Sequence, residues 1–135
     1  MTYSRKKLDR FIDLVKKLRS EKGCPWDKKQ TPESLKRYIA EETSELMEAI
    51  DAGDQQHVKE ELGDILYVVI LLAEIYSEKR LFTIDDVIDD ICAKMIRRHP
   101  HVFNNEKIES EEQLRHKWLQ IKNSEKADRT KAKKN

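Results

Sequence analysis

The sequence is short of every residue that interrupts regular structure: three glycines and three prolines stand among 135 residues. So few breakers favour long helices over the tight turns of an all-β chain. Cysteine is equally scarce. Cys24 and Cys92 show no CxxC or Cys/His spacing, which argues against a disulfide framework or a thiolate zinc site and leaves both as free thiols. Neither sign of charge dominates, since 27 Lys+Arg face 26 Asp+Glu for a net charge of +1. Nothing global therefore draws the chain to nucleic acid or to an anionic membrane. The longest apolar run, Ile65 to Ala73, is nine residues, well below the roughly 20 that span a bilayer. The opening MTYSRKKLDRFIDLVKK has no uninterrupted apolar stretch of signal-peptide type, so a soluble, cytoplasmic protein is expected. There is no P-loop, no GxGxxG, no internal repeat and no convincing strand pattern.

What is present is charge and helical periodicity. A hydrophobic fraction of 38% beside a charged fraction of 39% is the balance of amphipathic helices with heavily charged outer faces. The length suits one domain with one core. A first helix is expected from about Ser4 to Ser20, with Leu8, Phe11, Ile12, Val15 and Leu18 at helical spacing, ending before the loop Gly23-Cys24-Pro25-Trp26-Asp27. A second opens at Thr31-Pro32-Glu33, an N-cap followed by a proline and an acid, and stops at Gly53. A third spans about Asp54 to Lys79. A fourth starts at Thr83, with Asp85 and Asp86 in its first turn, and closes on Lys94, Arg97 and Arg98 before His99-Pro100. A fifth begins at Ser110-Glu111-Glu112-Gln113, which reads as a capping box, and carries Leu114, Trp118 and Ile121. The predicted fold is an all-α bundle of four to five helices over residues 1–123, followed by a basic tail, 124–135, expected to be disordered.

The third helix carries ILYVVILLA, apolar on every side, where a helix against a small core needs only a stripe. Either a second copy of the chain covers the extra face, making an obligate dimer or tetramer, or the helix is central and its own neighbours bury it.

The chemistry lies on the second and third helices. At about 100° per residue, Leu35, Ile39, Leu46 and Ala49 form one stripe that includes Glu42. Glu45 sits at its edge, with Glu41 beside it one turn back, while Glu48 points away. On the third helix Glu61 falls in line with Val58, Ile65, Val68 and Leu72, and Asp64 lies on the margin. Carboxylates near a core cost on the order of several kcal/mol each unless compensated. Between positions 38 and 76 the basic residues are His57 and Lys59, too few for five acids. A divalent cation is the economical answer, and an all-oxygen donor set suits Mg2+ or Mn2+ better than zinc. EExxE alone occurs often by chance in charged helices; the inward Glu61-Leu62-Gly63-Asp64 on the next helix makes the signal more specific. Gly63 inside a helix suggests close approach by a ligand or another backbone.

Phosphates would need basic side chains as well. Lys94 and Arg98 stand four apart at the end of the fourth helix, and Trp118 and Lys122 repeat that spacing on the fifth. A lysine and an arginine at a helix C-terminus are more often dipole partners than ligands, and a tryptophan is more often core than a stacking platform.

Taken together, GCPWD at 23–27, EETSE at 41–45, EELGD at 60–64, RRHPHVF at 97–103 and KWLQIK at 117–122 resemble the MazG-type nucleoside triphosphate pyrophosphohydrolases over nearly all of residues 8–123. The chain is similar to a single MazG domain of the all-α NTP pyrophosphatase superfamily. The resemblance implies a helical fold completed by oligomerisation. It implies Mg2+ held by Glu41, Glu42, Glu45, Glu61 and Asp64, with Mn2+ a possible substitute. The expected reaction is hydrolysis of nucleoside triphosphates to monophosphate and pyrophosphate, as in nucleotide-pool house-cleaning, with Glu41 orienting or deprotonating the attacking water. Lys94, Arg98, Trp118 and Lys122 are carried as nucleotide contacts. The competing readings are a non-catalytic nucleotide-binding or regulatory module, which the intact acidic motifs argue against, and a di-iron bundle, which wants Glu-x-x-His. A nucleic-acid role would rest on the basic tail alone.

Overall fold

The structure is a computed structural model that describes residues 5–134. Among these the regular elements are all helical: α1 (Arg5–Arg19), α2 (Pro25–Lys29), α3 (Pro32–Ala52), α4 (Gln55–Glu78), α5 (Ile84–Arg98), α6 (Pro100–Phe103) and α7 (Glu111–Lys134). The expected start of the first helix at Ser4 and the end of the tail at Asn135 lie outside the described residues. No described helix is long and apolar enough to cross a membrane.

In place of one core the chain forms two compact units, Met1–Ile84 and Asp85–Asn135. The first holds the apolar core: Val15 of α1, Leu35 of α3, and Val68, Ile70, Leu71 and Ile75 of α4 are buried, with Phe11, Ile12, Tyr38, Tyr67, Leu72 and Ile84 packed against them. Each fully buried leucine contributes roughly 1.5–3 kcal/mol. In the second unit the buried residues are Arg98 and Pro100, so pairing of charges has to do there what apolar packing does in the first.

The helices begin and end where local chemistry dictates. Thr31 caps α3 by accepting from the Ser34 backbone N–H, and the Ser34 hydroxyl accepts from Thr31 N–H in return. The expected cap is thus present, with serine closing a box more often closed by glutamate. Gly53 ends α3 at φ +66 in the left-handed region, its N–H donating to Ala49 and Ile50 carbonyls, and two residues suffice to reverse the chain into α4. Ser110 caps α7 by accepting from Gln113 N–H at 3.1 Å, while the Gln113 side chain reaches Glu109 N–H at 2.8 Å.

The GCPWD segment, expected as a loop, is one only at Gly23-Cys24 because Pro25 opens α2, and it is a joint with no spare room. A Cβ on Gly23 would stand 2.2 Å from the Leu18 carbonyl oxygen, so only glycine lets the chain fold back on the end of α1. Arg19 then collects the turn: Nη1 donates to the carbonyls of Asp27 (2.7 Å), Lys28 (3.2 Å) and Gln30 (3.0 Å). Its other edge forks onto Glu78, with Nε to Oε1 at 3.0 Å and Nη2 to Oε2 at 2.5 Å. The Tyr67 hydroxyl donates to the buried Asp27 carboxylate.

Three expectations are corrected. Ile39, placed in the buried stripe of the second helix, is exposed, because α4 covers the Leu35 and Ala49 side of α3 and not the whole stripe. Gly63 is exposed, and among the described residues a Cβ there would find nothing within 4 Å. From Ser124, where low apolar content led to an expectation of disorder, α7 continues to Lys134. Lys, Ala, Glu and Arg in that stretch are good helix formers, and Glu125 is tied to arginines of α5.

Candidate metal centre

The hairpin of α3 and α4 sets Glu42 and Glu45 against Glu61, with one carboxylate oxygen from each within 4.8 Å of the others. Spacing explains the convergence. On α3 the two glutamates are three apart and share a face, and the Gly53 reversal brings the matching face of α4 alongside. Asp64, three residues beyond Glu61, is near enough for its charge to act on both Glu42 and Glu45.

The cluster is short of positive charge. Glu61 is buried, with its side chain 6% exposed; His57 Nε2 lies 3.1 Å from its Oε1, while Oε2 is buried without a hydrogen-bond partner. Glu42 Oε2 is orphaned in the same way. Glu42 also borders an apolar cavity of about 90 Å³ lined by Ile39, Ile65, Val68, Val69 and Leu72. Burial beside that wall, then the adjacent Glu61 carboxyl and the charges of Asp64 and Glu45, push Glu42 up to about 7. Glu45 is raised chiefly by the charge of Glu61, with His57 opposing. Buried carboxylate oxygens without donors are what a hard, oxygen-preferring cation satisfies. The residues present therefore fit a divalent metal.

Glu41, the remaining acid of the expected set, stands outside this convergence. It is half exposed and paired with Arg37, Nε to Oε1 at 3.4 Å. Its place one turn before Glu45 suggests a shared edge, but one residue on a helix turns a side chain by about 100°, which carries Glu41 away from Glu42.

The four expected nucleotide contacts all lie in the second unit. Arg98 sits with its guanidinium 5.2 Å from the Trp118 ring centroid, and Lys122 Nζ is 4.7 Å from the same ring. Lys94 lines a cleft of about 640 Å³ with Asp90, Arg97, Glu125, Asp128 and Arg129. The residue that organises this group is Glu125, which sequence reasoning missed. It accepts from Arg97 Nε at 2.8 Å and Arg98 Nη2 at 2.9 Å, and the two arginines hold its carboxyl down to about 2. Its signal was there to find: Trp118, Lys122 and Glu125 follow the i, i+4, i+7 spacing of one helix face.

Residues 30–103 match the MazG nucleotide pyrophosphohydrolase domain. The chain is 52% identical over 116 residues to the uncharacterized protein YabN of Bacillus subtilis (strain 168), covering 86% of this chain and 24% of that one. It is 48% identical over 118 residues to the nucleoside triphosphate pyrophosphohydrolase/pyrophosphatase MazG of Thermotoga maritima, covering 87% and 45%. It thus spans about a quarter of the first relative and under half of the second. Among solved structures it is similar to a mazG-related protein from Thermotoga maritima, with a TM-score of 0.72, 30% identity, and 85% of this chain and 98% of that chain covered. With its acidic hairpin, its helical fold and a family match that spans more than half of its residues, this chain belongs to the MazG nucleotide pyrophosphohydrolase domain family.

Proposed function

We propose that this chain is a magnesium-dependent hydrolase that converts nucleoside triphosphates to monophosphate and pyrophosphate. The observation that carries the reading is the convergence of Glu42, Glu45 and Glu61 with orphaned buried oxygens and no lysine or arginine among them. Glu42, Glu45, Glu61 and Asp64 would hold the metal. A bound divalent ion supplies charge neutralisation and Lewis acidity at phosphoryl oxygens. The chain's own groups do the rest: the carboxylates fix where the charge sits, His57 steadies Glu61 through Oε1, and the apolar wall beside Glu42 keeps bulk water away from it. Glu41, flanking the cluster, is assigned to orienting the attacking water. Lys94, Arg98, Trp118 and Lys122 are assigned to the nucleotide.

We also propose that a second copy of the chain covers α3 and α4, whose Ile39, Met47, Ile50, Leu62, Leu66 and Val69 are exposed. Large apolar side chains exposed on two neighbouring helices are the chemistry of an interface. Sedimentation should show a dimer or tetramer at micromolar concentration, and a folded, active monomer would refute the assembly.

Product analysis tests the reaction. A panel of ribo- and deoxynucleoside triphosphates with Mg2+ should yield monophosphate and pyrophosphate. Orthophosphate with a nucleoside diphosphate would reject the assignment, and nucleotide binding without turnover would turn the reading to a regulatory module.

A further inference from the structure

Arg98 and Glu125 form a pair whose members face different spaces. Arg98 lines a groove of about 510 Å³ with His99, Glu111, Leu114, Arg115 and Trp118, where two arginines outnumber the one carboxylate. Glu125 is absent from that lining and borders the cleft of Lys94 and Arg97 instead. From there it takes one edge of the guanidinium, with Nη2 donating to Oε2 at 2.9 Å and Nε to the same oxygen at 3.3 Å. The side chains are 8% and 11% exposed. A guanidinium is a planar fork of five donors, so an edge held in this way leaves the Nη1 side free and fixes the plane in which it lies.

We infer that Glu125 is a positioning residue for nucleotide binding: it holds Arg98 over the Trp118 ring, so that the free edge of the guanidinium meets an anionic group of a nucleoside triphosphate in the groove. This rests on the assignment of Arg98 as a nucleotide contact. A carboxylate that merely competed with the ligand would have to share the groove, and Glu125 stands outside it. Arg97, exposed and bound to the other oxygen at 2.8 Å, keeps Glu125 from following Arg98 if that side chain moves.

The test uses ATP with Mg2+, or whichever triphosphate of the panel the wild type hydrolyses fastest. Glu125→Gln keeps the shape and removes the charge; KM should rise on the order of tenfold, the effect of one charge-assisted hydrogen bond, with a smaller change in kcat. Combined with Arg98→Ala it should raise KM no further than Arg98→Ala alone, because both act through one guanidinium. In a Trp26→Phe background without nucleotide, Trp118 emission should shift to the red when Glu125→Gln releases Arg98 from the ring. An unchanged or lowered KM, additive losses, or an unmoved Trp118 emission would each overturn the inference. Should Glu125→Gln lose helicity, Arg98→Lys decides: it keeps the charge without the plane, so KM should match Arg98→Ala, and a wild-type KM would refute the positioning role. A wild type that hydrolyses no triphosphate would fail the underlying reading alone, and the emission shift would still judge the positioning.

Discussion

Two groups of acids in this molecule sit in opposite electrostatic settings. In the α3–α4 hairpin three glutamates face one another with a single histidine for company; in the second unit Glu125 is gripped by two arginines. The pKa directions follow, up to about 7 for Glu42 and down to about 2 for Glu125. A carboxylate whose counter-charge is supplied by the chain is finished when the protein folds. One whose counter-charge is missing awaits something from outside, and that asymmetry separates Glu125, paired within the chain, from the acids assigned to the metal.

Substitution should break the symmetry of the comparison most visibly in turnover. Glu42→Ala or Asp64→Ala is expected to lower magnesium-dependent pyrophosphate release by roughly 10³-fold or more, beyond the 10–100-fold that loss of an outer-shell metal partner produces. Turnover near that of the parent would remove these residues from the site. The next effect is on stability, and the two settings should respond with opposite sign. Glu125→Ala leaves two arginines without their partner, one of them buried, and should cost about 3 kcal/mol in urea unfolding. Glu61→Gln relieves repulsion at nearly constant shape, so the metal-free variant should be as stable as its parent or more so, while gaining less than the parent from added Mg2+. For the parent, that gain is about 2.7 kcal/mol at a ligand concentration 100 times Kd. A metal-free Glu61→Gln protein clearly less stable than the parent would make Glu61 a structural partner.

The smallest and most discriminating effect is the pH dependence of metal-free stability. Glu42 has a folded pKa above its ordinary 4.5, so the native state binds the proton more tightly. Its contribution is complete below about pH 4.5 and is lost as pH rises through 7. Glu45 and Glu74, both raised, act with the same sign. Glu125 is depressed, so its contribution is present above pH 4.5 and is lost as pH falls toward 2. Unfolding in a chelator should therefore show opposing limbs, the upper flattened by Glu42→Gln and the lower by Glu125→Gln. A lower limb unaffected by Glu125→Gln would mean that the arginine grip is absent in solution.

The sequence disclosed the long helices well, because apolar periodicity and caps agree at Thr31-Pro32, Gly53 and Ser110. It disclosed less where tertiary contact overrides local preference. α2 and α6 are single turns opened by Pro25 and Pro100, too short to carry a period. The acids were legible as motifs, and the wheel set Glu42 inside the apolar stripe, but it placed Glu41 with Glu45 at the edge and could not say which of those two meets Glu61, since that depends on where α4 lies. Glu125 was hidden by composition: a stretch poor in apolar residues looks unstructured until the arginine partners of its half-buried carboxylate are known.

The connection from α1 to α3 has a consequence for re-engineering the chain. Gly23 admits no side chain, and Arg19 spends its fork on the carbonyls of Asp27, Lys28 and Gln30 and on Glu78, so the path from Leu18 to Thr31 has one permissible length. An inserted residue there would pull the carbonyls out of register with the guanidinium and draw Asp27 away from Tyr67. The turn after α4 is held differently: Leu81 N–H donates to the Tyr76 carbonyl, Phe82 stacks on the Tyr76 ring, and Arg80 rests at φ 58, a conformation that glycine tolerates better. A fusion or a reporter loop should therefore avoid the segment from Leu18 to Thr31, and Arg80→Gly would relieve backbone strain at the turn after α4.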